Sequence, residues 1–306
     1  MSDVVSDVLF PERGSTDIAL SVRTHDRVGE RRTDEAWLAQ AWTAPTTRIV
    51  PVAGTRFPVD EAGAAVRWHT AADLPDAGMR IFLGSRDDVA HFGLVVDEPL
   101  DEGRWTGFRG VVQTLPEPDA GFMVHAIALA EWHAAHRFCP RDGSPLVASD
   151  AGHVLRCETN AHQQFPRTDP AVIMMVTDGE RALLGRQESW PEGRYSTLAG
   201  FVDPGESLEE AVVREVAEET GVVVDEVRYF GNQPWPFPQS LMVGFFARAR
   251  TTDIHVDGAE ISDARWFTRE EMKEQAESGE LVLPGGISIS RSLVEAWYGA
   301  PLPGSW

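Results

Sequence analysis

Cysteine is nearly absent. Cys139 and Cys157 are the only two in 306 residues, which argues against a disulfide framework and suits a reducing compartment. Long apolar runs are also missing: none approaches the roughly 20 residues that span a bilayer, so no membrane partner is expected. The N-terminus MSDVVSDVLFPERG lacks the basic region and apolar run of a signal peptide, and the final GSW is no peroxisomal or retention tripeptide. These absences lead to the expectation of a cytoplasmic protein. Positive charge is scarce as well, with 27 Lys and Arg against 48 Asp and Glu, a formal net charge of −21. Such a chain repels polyanions at long range, so general affinity for nucleic acid is not expected unless metal ions mediate the contact. No internal repeat or long low-complexity tract is visible.

With 42% hydrophobic residues, the chain can bury about two cores, since domains run to roughly 100–200 residues. Residues 1–116 carry few chemical signals. RIFLGSRDDVAHFGLVV (80–96) reads as two strands around a turn, and RIVPVAGTRFPVD (48–60) as a similar pair. LPEPDAG (115–121) reads as a break before FMVHAIALAEWHAAHRF (122–138), where Met123, Ile127, Ala130 and Ala134 recur at helical spacing. A linking helix over 117–138 follows, then a turn-rich hairpin over 139–166 bracketed by the cysteines. The C-terminal lobe, 167–306, opens with PAVIMMV (170–176) and RALLGR (181–186) as a strand pair. VRYFG (227–231) and SLMVGFFARA (240–249) read as further strands, and ISRSLVEAWYG (289–299) as a closing helix. The sum is an α+β chain with a mixed sheet.

The chemical signal concentrates in GFVDPGESLEEAVVREVAEETGV, residues 200–222. Gly200, Pro204 and Gly205 form a loop able to bring backbone close to a ligand. Ser207 can cap a helix with Glu210 three residues on, and Gly221 can end it. Glu215, Glu218 and Glu219 stand at i, i+3 and i+4 on one face, with Val213 and Ala217 opposite and expected to bury. Like charges so placed cost about a few tenths of a kcal/mol per exposed pair, more when desolvated. A hard divalent cation removes that penalty, and oxygen-only ligands point to Mg²⁺ or Mn²⁺. Taken alone, the triple also fits a solvated acidic helix face.

The full stretch resembles the Nudix box: Gly200, Glu206, Arg214, Glu215, Val216, Glu218, Glu219, Gly221 and Val222 fill every fixed position. The resemblance implies a loop–helix–loop in an α/β/α sandwich that binds divalent metal and hydrolyses a nucleoside diphosphate linked to another group. It implies metal ligation by Glu215, Glu218 and Glu219, by the Ala199 carbonyl, and by Glu260 from outside the box. Glu218, Glu219 or Glu260 is the expected general base.

A second stretch, GNQPWPFPQS (231–240), sets Trp235 and Phe237 among Pro234, Pro236 and Pro238. Proline removes amide donors, so helix and central strand are both excluded, and a stiff extended segment is expected. It resembles the SQPWPFPxS signature of the NADH pyrophosphatase branch, with Asn232 in place of Ser. The resemblance implies that Gln233, Pro234, Trp235, Pro236, Phe237, Pro238, Gln239 and Ser240 line a dinucleotide site. It further implies adenine stacking on Phe201, a contribution from Phe165 of a second subunit in a homodimer, and substrate contact by Ser290. For Trp235, Phe237, Phe201 and Phe165, burial in a core is the alternative. Branch members carry a four-cysteine zinc ribbon; here its positions hold Cys139, Asp142, Cys157 and Asn160. Asn is a poor zinc ligand, so the hairpin is expected to persist without Zn²⁺, unless Asp142, His153 or His162 completes a site with Cys139 and Cys157. The N-terminal domain is expected to support dimerisation and the site.

The activity implied is hydrolysis of NADH or NAD⁺ to AMP and (reduced) nicotinamide mononucleotide. NAD-cap removal from RNA, or hydrolysis of ADP-ribose-like compounds, uses the same bond. A nucleotide sensor without activity is the reading from another class.

Overall fold

A computed structural model of the chain describes residues 18–256, 258 and 260–304. MSDVVSDVLFPERG and the end of the GSW tripeptide lie outside them. The chain divides into two compact units, one comprising Val22–Thr168 and Trp235–Gln239, the other residues 18–21, 169–234 and 240–304. No helix among the described residues is long and apolar enough to cross a membrane.

The first unit contains α1 (Glu35–Thr43), β1 (Arg48–Val52), β2 (Arg56–Pro58), β3 (Met79–Arg86), β4 (Val89–Val95), β5 (Trp105–Gly107), α2 (Glu117–Ala135), β6 (Leu146–Ser149), β7 (Val154–Cys157) and β8 (Gln163–Gln164). The β3–β4 hairpin forms as expected. The expected pairing within 48–60 does not: β1 runs parallel to β4, β2 pairs with β5, and one bridge, Ala53 with Arg56, joins the two segments. Pro51 and Pro58 withhold amides a hairpin ladder would need, and β1 lies at a sheet edge, where proline is tolerated. The helix starts at Glu117, as expected, and ends at Ala135, short of 138. Pro116 is its N-cap and Pro118 sits in its first turn, where a missing amide costs nothing. Far from being a mere linker, α2 buries ten side chains, from Ala120 to Trp132, although Ala134 is exposed.

The second unit is built on β9 (Asp169–Thr177), β10 (Arg181–Arg186), β11 (Leu198–Phe201), α3 (Leu208–Thr220), β12 (Val224–Trp235), β13 (Ser240–Ala249), β14 (Asp263–Thr268), α4 (Arg269–Ser278) and α5 (Ile289–Tyr298). Its mixed sheet runs β12-β13-β9-β10-β14, with β11 also paired to β9. β9 and β13 are parallel over nine residue pairs; β10 is antiparallel to β9. The unbroken apolar run of β9 is explained by helices on both faces. Val172, Met174 and Val176 pack with Val212 and Val216 of α3. Ile173 and Met175 pack with Met272 of α4 and Leu293 and Trp297 of α5. The segment after Gln233 is less extended than its prolines suggest: the edge strand β12 continues through Pro234 to Trp235, and residues 236–239 turn back into β13.

The first unit carries a feature without a sequence motif. Phe122 is sandwiched between the imidazoles of His25 and His91, each 4.1 Å away between ring centroids. His125 lies 5.8 Å from His25 and 5.3 Å from His153, and His153 Nε2 bonds the Phe82 carbonyl at 2.8 Å. Burial lowers His25, His91 and His153 from 6.5 to about 4, and pushes His125 well below its ordinary value. The unfolded chain therefore binds more protons between these limits. Stability is full above about pH 6.5 and is lost progressively as pH falls towards about 4. Unfolding midpoints measured across that window should fall with acidification, and His91→Asn should flatten the slope; an unchanged slope in that variant would remove His91 from the effect.

Candidate active site

Strand pairing places the front of the site. Ala199 is opposite Ile173, Gly200 opposite Val172 and Phe201 opposite Ala171, so the chain leaves the sheet at Phe201 and enters the loop towards α3. Ser207 caps that helix as expected: its Oγ accepts from the Glu210 amide at 3.2 Å, and Glu210 accepts from the Ser207 amide at 3.0 Å. Gly221 ends it with φ 70°.

The helix is rotated from the expected setting. Val213 and Ala217 are exposed, while Ala211, Val212 and Val216 enter the core together with Glu215 and Glu219. The helix lays its glutamate side against the sheet because the apolar stripe adjoins the carboxylates. Glu215 then packs directly on the backbone of β11. A Cβ at Gly200 would lie 1.9 Å from the Glu215 Cδ and 2.0 and 2.2 Å from its oxygens, so a side chain there would have to displace the carboxylate.

Arg214 ties the loop to the helix. It donates from Nε and Nη2 to the two Glu206 oxygens, each at 2.8 Å. Its Nη1 reaches Glu215 at 2.8 Å and Glu218 at 3.0 Å, and Nη2 also reaches the Phe201 carbonyl at 2.9 Å. The guanidinium holds Glu206 down to about 2. Glu215 is raised by burial; Arg214 counters that shift, and Glu218 and Glu260 add to it. Arg214 is thus shared among three carboxylates, Glu206, Glu215 and Glu218.

These groups line a cavity of about 1370 Å³ with Ala199, Gly200, Phe201, Glu215, Glu218, Glu219, Ser240 and Glu260 in its wall. Glu219 is buried, whereas Phe201 is 59% exposed. Sequence reasoning missed Gln187, Glu188, Ser189, Asp203 and Met242, which also line it. Asp203 stood inside the box; the loop after β10 carried no motif. Its carboxylate oxygens are the donor type that suits a hard divalent cation.

Other expected residues fall elsewhere. Gln233 is 1% exposed. Its Nε2 donates to the Ala19 and Ile287 carbonyls, both at 2.7 Å, and its Oε1 accepts from the Ile289 amide at 3.0 Å. Ser290, also 1% exposed, bonds Ser196 and Thr197 hydroxyls at 2.8 Å. Neither is among the residues that line the cavity, and each fastens α5. In the first unit, Trp235 and Phe237 are half-buried around Arg109, whose guanidinium lies 5.8 and 4.6 Å from their ring centroids. Pro236 is buried, Pro238 exposed and Gln239 half-buried. Phe165, in the same unit, is 64% exposed.

A sandwich whose box helix sets three glutamates against a glycine strand defines the class as Nudix. The model of the NUDIX domain matches residues 167–283, that of the NADH pyrophosphatase zinc ribbon domain 134–165, and that of the NADH pyrophosphatase-like rudimentary NUDIX domain 34–132. The chain is 38% identical over 290 residues to the "NAD-capped RNA hydrolase NudC" of Mycobacterium bovis, covering 89% of this chain and 92% of that one. It is 41% identical over 196 residues to the "NAD-capped RNA hydrolase NUDT12" of Homo sapiens, covering 60% and 42% respectively. A solved NUDIX hydrolase from Nitrosomonas europaea aligns with TM-score 0.43 at 19% identity, over 55% of this chain and 96% of that one. The chain belongs to the Nudix hydrolase family, in its NADH pyrophosphatase branch.

Gly200→Ala should displace the Glu215 carboxylate while leaving the core intact. A misplacement on the order of 1 Å costs about 10²-fold in turnover, so that loss at a nearly unchanged melting temperature is expected. Near-normal turnover would remove the Gly200–Glu215 contact from the site.

Proposed function

We propose that the chain hydrolyses the pyrophosphate of NADH or NAD⁺, releasing AMP and the reduced or oxidised nicotinamide mononucleotide. The observation that carries the reading is the convergence of Glu215, Glu218, Glu219 and Glu260 with the exposed Phe201 on one cavity. Nudix hydrolases require divalent metal, and in this reading Mg²⁺ or Mn²⁺ is held by these four carboxylates and the Ala199 carbonyl. When bound, the cation neutralises pyrophosphate charge and lowers the pKa of water. Glu218, Glu219 or Glu260 accepts the proton of the attacking water, and the leaving phosphate departs with the other nucleotide. Arg214 holds Glu206 and Glu215 in place during this exchange, and the Phe201 ring stacks on adenine.

Catalysis in this proposal belongs to 167–306, with 1–116 as a supporting domain, 117–138 as its helix and 139–166 as the ribbon-like segment. A cytoplasmic homodimer, with Phe165 serving the second copy, completes it.

Removal of a NAD cap from RNA is the second reading, supported by the activity named for the NudC and NUDT12 relatives. The bond broken is the same; the net charge of −21 disfavours a long RNA tail.

Purified protein with Mn²⁺, offered NADH, NAD⁺, ADP-ribose and a short NAD-capped RNA side by side, should yield AMP and mononucleotide fastest from NADH. Glu219→Gln should keep the fold and lose about 10²–10⁴-fold in turnover, the range for a positioned acid–base group. Survival of all four compounds while one still binds would replace hydrolysis with sensing.

A further inference from the structure

The zinc ribbon match over 134–165 implies a resident structural zinc, and the donor set can be tested against it. Cys139, Asp142 and Cys157 bring their ligand atoms within 4.8 Å of one another, the one such group of Cys, His, Asp or Glu among the described residues. Structural zinc closes with four ligands, nearly always Cys or His. The fourth position holds Asn160, and it offers the wrong end. Its Nδ2 donates to Asp142 at 2.5 Å and lies 3.8 Å from the Cys139 sulfur. Its Oδ1 accepts from the His162 amide at 2.7 Å. Turning the carboxamide to offer oxygen would set its NH₂ against the His162 N–H and abandon both bonds from Nδ2. The position therefore points N–H hydrogens, partial positive charges, at the place a cation would take.

Asp142 collects the donors instead. Its carboxylate accepts from the Thr159 hydroxyl at 2.8 Å and the Ser144 amide at 3.0 Å, in addition to Asn160. The Cys157 sulfur stands 3.7 and 3.8 Å from its two oxygens. Ser144 and Thr159 hydroxyls close the ring at 2.8 Å. These bonds, led by the Ser144 amide, hold Asp142 well below the usual carboxylate range. The backbone keeps the knuckle shape, with the Gly143 amide on the Cys139 carbonyl and the Cys139 amide on the Ser144 carbonyl, both at 2.8 Å. His153 is engaged with Phe82, and His162 is not a member of the ligand group.

We propose that this ribbon is metal-free by construction: the Asp142 carboxylate replaces zinc as the centre joining the two knuckles. The polarity is inverted, with an anion gathering N–H, O–H and S–H donors where a cation would gather lone pairs.

The full-length protein, purified without chelator, is the material for the test. Elemental analysis should find far less than one zinc per chain, and a zinc-selective chelator in excess Mg²⁺ should leave the unfolding transition in place. Asp142→Asn, which removes the acceptor charge, should lower the midpoint without changing metal content; an unmoved midpoint would strip Asp142 of its role. The double variant Asp142→Cys, Asn160→Cys should acquire about one zinc per chain and become chelator-sensitive. The proposal is overturned if the natural chain carries one zinc or melts earlier in chelator. Loss of that zinc in His162→Ala would then identify the fourth ligand. Should the double variant fail to fold, the metal content of the natural chain still decides.

Discussion

Everything at the catalytic face depends on one arginine surrounded by acids. Arg214 reaches Glu206, Glu215, Glu218 and the Phe201 carbonyl, and so joins the end of β11, the loop and the helix by charge-assisted bonds, the stronger kind. Its fork is planar and permanently charged, properties a lysine would not supply. With the guanidinium fixed, Glu215 can be held against Gly200 despite being buried. The arrangement sets one guanidinium against three carboxylates at the cavity wall.

Much of this was legible in the chain. The box spacing located the helix, its caps and its three glutamates because those depend on local bonds, Ser207 with Glu210 and Gly221 at positive φ. PAVIMMV was legible as a strand, though not the helices that cover both of its faces. The rotation of α3 was not legible: Val213 and Ala217 looked apolar enough to bury, and only the sheet decides which side of the helix it receives. The hydrogen bonds by which Gln233 and Ser290 satisfy backbone and hydroxyl partners around α5 were not legible either. Side-chain hydrogen bonds over long sequence separation have no periodicity to betray them. The Gln187–Ser189 part of the cavity wall escaped for a related reason, since loops carry function without pattern.

The ribbon and the histidine cluster show two ways of satisfying polar side chains in the first unit. The knuckle surrounds an exposed carboxylate with donors from Ser144, Thr159 and Asn160. The cluster around Phe122 keeps imidazoles neutral and stacks them as if they were aromatic hydrocarbon. The cluster is expensive to disturb, because a buried imidazole that gains a proton bears the desolvation penalty of its charge.

The parallel pairing of β9 with β13 also bears on the order of assembly. Between these neighbours the chain must first travel through β10, β11, α3 and β12. Closing so long a loop is entropically costly and slow, and contacts of this kind are late events in topologies rich in them. The α3 helix, with its own caps, can form early, but the wall it shares with Ser240 and Met242 exists only once β13 has been inserted. A nascent chain therefore carries its acidic helix before it owns a cavity, and the cavity arrives with the last central strand rather than with the motif.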